Sequence, residues 1–277
     1  VYADLHIHTT ASDGADTPRE VVRKALDKGL AAIAVSDHDT LAGVNEALQA
    51  AADFQLEVLS GVEVNTYYKG MEIHVLGYLI DPNNEEFTTT LRGLQEERLT
   101  RAEKMVGKLK KLGMKIKMSR VLELSGEGTV GRPHIARALL EKKYVSSMQE
   151  AFNQYIGAGK PAYVPREKLN PVEAIQLIIK AKGVPVLAHP GFSKVDHLLP
   201  SLIKAGLKGL EVWHRNHTPL MVEHYYKITK DYGLIPTGGS DYHGSHHDIC
   251  NVIGGAVAPY ESVQLLKDAV RDIIRAN

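Results

Sequence analysis

The sequence predicts an α/β fold of the barrel or wound-sheet kind, and three observations predict it. Strand-like runs alternate with helix-like stretches at both ends of the chain, about seven strands can be counted, and polar side chains gather where those strands stop. A length of 277 residues is ordinary for one α/β barrel and buries enough surface to need no disulfide or structural metal for stability.

The elements follow in order. Tyr2–His8 alternates polar and apolar residues as a strand does. Pro18–Lys28 reads as a helix, with Thr17 as N-cap and Gly29 as its stop. Ala31–Ser36 is a short apolar strand and Gly43–Asp53 a second helix. Leu56–Asn65 and Glu72–Leu79 flank Tyr68-Lys69-Gly70, a hairpin turn. From about Asn84 to Ala162 no strand is convincing. Leu91–Leu112 carries apolar residues at helical spacing, and shorter helices are expected near Ser119–Leu124, Pro133–Glu141 and Ser147–Gly157. Alternation then resumes with helices at Pro171–Lys182, Val195–Ala205, Pro219–Tyr232 and Glu261–Arg275. The strands between them are Val184–Ala188, Leu207–Trp213 and Leu234–Gly238. The expected organisation is a barrel from 1–83 and 163–277, with 84–162 a helical insertion over the active-site face.

Composition narrows the classes. Hydrophobic content of 44% and charged content of 24% describe a soluble globular chain. Basic and acidic residues balance at 33 each, so bulk charge does not argue for a nucleic-acid binder. The single cysteine, Cys250, excludes an internal disulfide framework, no apolar run could span a bilayer, and no signal peptide is visible. The cytoplasm is the expected location, with no membrane and no obligate protein partner.

Six strands in sequence end in, or carry, a side chain able to bind a metal. His6-Ile7-His8 closes the first, and residues two apart on a strand share a face. Asp37-His38-Asp39 follows the second and Glu63 lies in the third. His74 lies in the next, His189 follows Val184–Ala188, and Asp241-Tyr242-His243 follows Leu234–Gly238. An isolated histidine is more often structural, and HxH alone is a weak signal. The set together, on the face where barrel enzymes build their sites, predicts a metal centre.

DLHIHTTASDG, SDHDT, GVEV, His74, AHPG and GSDYHG, in this order over nearly the whole chain, resemble the polymerase-and-histidinol-phosphatase (PHP) family of metal-dependent phosphoesterases. Within it, GRPHIARAL at Gly131–Leu139 and YIGAGKPAYVP at Tyr155–Pro165 are similar to the bacterial branch acting on nucleoside 3′,5′-bisphosphates and, from the 5′ end, on short RNA. The resemblance implies a distorted (β/α)7 barrel and nine metal-ligand positions, all filled: His6, His8, Asp13, His38, Glu63, His74, His189, Asp241 and His243. It also implies a partition among two or three divalent ions. His6, His8, Glu63 and Asp241 would hold the first, Glu63, His74 and His189 the second, and Asp13, His38 and His243 the third. Manganese is the first expectation, with zinc and iron also accepted by such mixed ligands.

Three such ions against Asp13, Glu63 and Asp241 would leave about +3 of formal charge, which suits a phosphate ester dianion far better than a neutral peptide or sugar. The expected chemistry is attack by a metal-bound hydroxide, without a covalent protein intermediate. Arg132 and His134, at a probable helix start after Gly131, are expected to hold a substrate phosphate. His217 is expected to contact substrate or protonate the leaving oxygen, with His214 and Arg215 as alternatives. His246 and His247 are expected to be solvated, and His197 and His224 structural. The basic run Lys108–Lys117 is expected on a solvated helix face.

Rival readings are a histidinol-phosphate phosphatase within the same family, an amidohydrolase, and a catalytically silent metal-binding module. An amidohydrolase needs a bridging lysine and a lone late Asp, whereas this sequence offers Glu63 and the pair Asp241/His243. A silent module would have lost ligand positions, and none is lost.

Overall fold

The computed structural model describes residues 1–165, 169–244 and 252–276, side chains through 275. His246, His247 and Cys250 lie outside the described residues. Eight strands form a nearly closed barrel surrounded by helices: β1 Tyr2–Ile7, β2 Ala32–Val35, β3 Glu57–Tyr68, β4 Met71–Tyr78, β5 Val184–Leu187, β6 Gly209–His214, β7 Ile235–Gly239 and β8 Ala258–Pro259. Their order is β7-β6-β5-β4-β3-β2-β1-β8. The two-residue β8, antiparallel to β1, carries no sequence period long enough to predict it.

Most neighbours run parallel, as βαβ alternation requires, but β4 is antiparallel to both β3 and β5. The short Lys69-Gly70 turn forces that reversal. It also explains His74: the site face holds the C-terminal ends of the parallel strands and therefore the N-terminal half of β4. Near the seam, His8 N–H donates to Tyr242 O (2.8 Å) and Tyr242 N–H to His6 O (3.3 Å). The backbones approach so closely that a Cβ on Gly239 would lie 2.3 Å from His6 N.

Around the barrel lie α1 Pro18–Asp27, α2 Val44–Ala51, α7 Pro171–Lys180, α10 Pro219–Tyr232 and α11 Glu261–Ala276. Thr17 and Glu20 close a reciprocal capping box on α1. A 3₁₀ turn at Asp196–Leu198 and the helix α9 Leu199–Lys204 replace the continuous helix expected over Val195–Ala205, and a short helix α8 Pro190–Ser193 precedes them. Pro200 has no N–H to donate, so the α-helical hydrogen bonds begin afresh at Leu199.

Between β4 and α7 the described chain is helical: α3 Glu85–Lys111, α4 Met118–Ser125, α5 Arg132–Glu141 and α6 Met148–Ala151, the last running into a π-turn at Phe152–Ile156. Helix α3 starts six residues before the expected Leu91, because Asn84 caps it by accepting Phe87 N–H (2.9 Å). Met105, Leu109, Val121, Ile135, Leu139 and Ile156 form a hydrophobic cluster separate from the barrel's own. Each such side chain contributes about 1.5–3 kcal/mol on burial. The basic residues of Lys108–Lys117 point outward from it.

Candidate metal centre

The loop after β1 is shaped by Asp37, which is buried and accepts Thr9 N–H (2.7 Å), Thr9 O–H (2.7 Å) and Ser12 O–H (2.5 Å). Those bonds curl the loop so tightly that a Cβ on Gly14 would meet the His8 carbonyl at 2.6 Å. Asp13 is thereby turned back over β1, with its Oδ1 3.4 Å from His243 Nε2 and its Oδ2 3.8 Å from His38 Nε2.

Glu63 stands at the centre. Its Oε1 lies 2.7 Å from His74 Nδ1 and 3.0 Å from His189 Nε2. Its Oε2 lies 2.9 Å from His38 Nδ1, 3.3 Å from His8 Nε2 and 3.4 Å from His6 Nε2. Asp241 Oδ1 closes the other side at 3.2 Å from His8 Nε2 and 3.4 Å from His6 Nε2. The nine residues read from the sequence as ligand candidates thus come together in one cluster. Three sets of donor atoms lie close enough to share an ion: His8, Asp13, His38 and His243; His6, His8, Glu63 and Asp241; and His38, Glu63 and His74.

The donor set fits divalent cations. His6 Nε2, both nitrogens of His8, His38 Nδ1, His189 Nδ1 and Glu63 Oε2 are buried without a hydrogen-bond partner among the described residues. Unpaired buried polar atoms are costly, and so many aimed into one space call for a shared partner. The charge balance agrees. Burial lowers the His8 pKa, but Asp241 and Glu63 outweigh it and push the ring up to about 10. Burial likewise opposes the His74 cation, yet Glu63 and Glu72 raise it to about 9. Burial would raise the carboxyls of Asp13, Glu63 and Asp241, but the surrounding imidazoles hold all three well below the usual range. This cluster demands positive charge, which protons supply when metals do not.

The backbone is strained at the same place. Asp39 (φ 53°), His189 (φ 26°) and Asp241 (φ 51°) have positive φ, a region that costs L-residues about 1–3 kcal/mol each.

The cluster opens into a cavity whose opposite wall carries Arg98, Arg101 and Arg132. Arg98, on α3, is buried; its Nε donates to Asp39 Oδ2 (2.6 Å), and its Nη2 donates to Asn65 Oδ1. Asn65 Nδ2 in turn lies 2.8 Å from His74 Nε2, so the helical segment is tied to the cluster. Arg101 donates from Nε to Val164 O (2.7 Å), and its guanidinium lies 5.5 Å from the Tyr163 ring centre. Its Nη2 is buried with no hydrogen-bond partner among the described residues. Burial, and then the nearby Arg132 charge, lower its pKa to about 10, so it stays cationic at neutral pH.

Other expected contacts are placed differently. Arg132 lines the cavity, but its Nη2 donates to Glu72 Oε2 (2.5 Å). His134 does not present its ring to that cavity: Nδ1 accepts Gly131 N–H (2.9 Å), so the start of α5 is capped by its own side chain. His217 also differs from expectation. Its Nδ1–H donates to Val212 O (2.8 Å) and its Nε2 accepts Gly191 N–H (3.2 Å), which leaves neither nitrogen for substrate. The alternative His214 is buried, with Nε2 3.5 Å from Asp241 Oδ2. His224 pairs with Asp196 at 2.7 Å, a surface contact. Sequence reasoning missed Arg98, Arg101, Glu72 and the buried Glu211. Their only signal was a charged residue on an otherwise apolar face, as at Arg98 on α3 and Glu211 on β6.

A barrel with imidazoles and carboxylates converging at one end, facing a cationic wall, defines a metal-dependent hydrolase of phosphate esters. The sequence profile of the PHP domain matches residues 4–163, and the chain belongs to that family. It is 35% identical over 245 residues to the 5′-3′ exoribonuclease of Haemophilus influenzae, covering 87% of this chain and 89% of that one. It is 33% identical over 247 residues to the 3′,5′-nucleoside bisphosphate phosphatase of Chromobacterium violaceum, covering 87% and 86%. Among solved structures, an amidohydrolase from Chromobacterium violaceum with bound sulfate and no metal superposes with a TM-score of 0.85 at 30% identity, covering 94% of this chain and 92% of that one.

Proposed function

We propose that this protein hydrolyses nucleotide phosphate esters, taking phosphate from nucleoside 3′,5′-bisphosphates or nucleotides from the 5′ end of short 5′-phosphorylated RNA. The observation that carries the reading is Arg101, whose Nη2 is buried and unpaired among the described residues in the wall facing the cluster. One phosphate at the cluster leaves this cation for a second anion on the same molecule. The relatives named above that act on bisphosphates and RNA support it, as does sulfate, a tetrahedral oxyanion, in the solved neighbour.

The ligand assignment belongs to this proposal. His6, His8, Glu63 and Asp241 hold one ion; Glu63, His74 and His189 a second; Asp13, His38 and His243 a third. The donor groups overlap at His8, His38 and Glu63, which lie within reach of two sites each. Manganese is the proposed metal. When bound, the ions supply a nucleophile at neutral pH and positive charge for the phosphoryl oxygens. The chain's own part is to hold the substrate. Arg101 binds the second phosphate, Arg132 lies beside it on Glu72, and the insertion 84–162 carries both over the barrel mouth. His134 and His217 act indirectly, fixing the α5 start and the His189–Gly191 turn. His214, aimed at Asp241, is the better placed ring for a proton near the leaving oxygen. Amide hydrolysis is disfavoured because Glu63, and no lysine, sits where the donor groups meet.

The test is release of phosphate from 3′,5′-bisphosphoadenosine, AMP and histidinol phosphate, and of nucleotide from short 5′-phosphorylated RNA, with manganese and after chelation. The bisphosphate and RNA should be the best substrates and chelation should abolish turnover. Preference for histidinol phosphate, or activity indifferent to chelator, would overturn the proposal.

A further inference from the structure

Glu211 is fully buried in the middle of β6, and the described residues place no lysine or arginine beside it. A carboxylate so enclosed must be neutralised by what surrounds it. Two groups do this. Its Oε1 accepts from His6 Nδ1–H at 2.9 Å, and its Oε2 accepts the backbone N–H of His189 at 2.6 Å.

Each bond has a consequence for a different part of the cluster. With Oε2 taking the His189 N–H, Oε1 pairs with the Nδ1 side of the His6 ring and leaves Nε2, 3.4 Å from both Glu63 and Asp241, facing the cluster. That Nε2 is one of the atoms left without a partner. The second bond grips the backbone of His189 where φ is 26°, a conformation that must be held by its surroundings. Release of that N–H would let the turn relax and carry the ring away from Glu63 Oε1, now 3.0 Å distant. Asp13, His38 and His243 have no contact of either kind with Glu211.

We infer that Glu211 is a positioning residue serving two ions at once, fixing the tautomer of His6 for the first and the backbone of His189 for the second, while leaving the third untouched. This rests on the ligand partition proposed above. Glu211→Gln keeps the size of the side chain, but its amide can accept one of the two bonds and must present N–H₂ to the other donor. Loss of such an outer partner weakens metal affinity about 10–100-fold.

The experiment compares wild type, Glu211→Gln and Asp13→Ala after equilibration with manganese or zinc and dialysis against graded chelator. Bound metal per chain is measured by mass spectrometry, with circular dichroism to check the fold. Glu211→Gln should lose two ions about 10–100-fold more easily than wild type and keep the ion that Asp13→Ala loses. In zinc-loaded protein, ¹⁵N–¹H spectra of the His6 ring should show Nδ1 protonated and Nε2 bound in wild type, and a tautomer mixture in Glu211→Gln. Equal weakening of all three ions, weakening of none, or an unchanged His6 ring would overturn the assignment of Glu211. Failure of wild type to bind any divalent cation would instead overturn the metal reading beneath it.

Discussion

The two walls of the cavity are built by different rules. On the barrel side the polar groups ride on strands or on the turns that follow them, where sheet pairing fixes the backbone direction and neighbouring ligands are held within a few ångströms. On the helical side, Arg98, Arg101 and Arg132 are delivered by long flexible side chains from α3 and α5, and each is set by a different partner. The comparison teaches a division of labour: rigid strand ends suit ions that tolerate little displacement, and long cationic arms suit an anion whose position varies with the substrate.

The largest expected effect falls on the barrel wall. Glu63→Ala removes the carboxylate at which five imidazoles meet, and kcat with a bisphosphate should fall on the order of 10³-fold or more. A loss under tenfold would mean that the cluster is not the reaction centre. Next comes the junction between the walls. Arg98→Met leaves Asp39 buried without its cation, and unfolding free energy should drop by about 3–5 kcal/mol in denaturant titrations. No change would show that the two walls are not coupled there. Arg101→Ala should raise KM for a bisphosphate about 10–100-fold, from the loss of a charged hydrogen bond, and alter a small monoester far less. Equal effects on both would reject the second anion site.

A subtler test uses pH. In chelated protein His8 and His74 have pKa values raised from 6.5 to about 10 and about 9. Their stabilising contribution is fully present below the unfolded value and is lost as pH rises through the folded ones. The melting temperature of chelated protein should therefore fall between pH 7 and 10, and saturating metal should flatten that slope by displacing the protons. The smallest effect is expected far from both walls: Arg120→Ala, breaking exposed pairs with Glu123 and Glu141, should not move the melting curve measurably.

The barrel side was legible because chemistry and period coincided: HxH at the end of β1 and DxH after β7 occupy strand ends that hydrophobic alternation alone could locate. Two-residue β8 was not, since a dipeptide leaves no period, whereas the reversal of β4 was announced by the Tyr68-Lys69-Gly70 hairpin turn. The arginine wall was harder still. Arg98 at least falls on the apolar face of α3, but Arg101, three residues on in a helix rich in solvated charge, is separated from Lys104 or Lys108 only by tertiary packing. Arg132 was located as a cavity-wall residue, but its pairing with Glu72 joins α5 to β4 across 60 residues of sequence. His217 was misjudged because nearness to the rim does not reveal that both ring nitrogens are already engaged with backbone.

The seam between β1 and the chain following β7 has a consequence for synthesis. His6 and His8 leave the ribosome long before the turn that meets them across the seam, Asp241–Gly244. A nascent chain therefore carries an open half-site until that turn is made. Cation capture becomes a late event that locks two distant stretches of the polypeptide together.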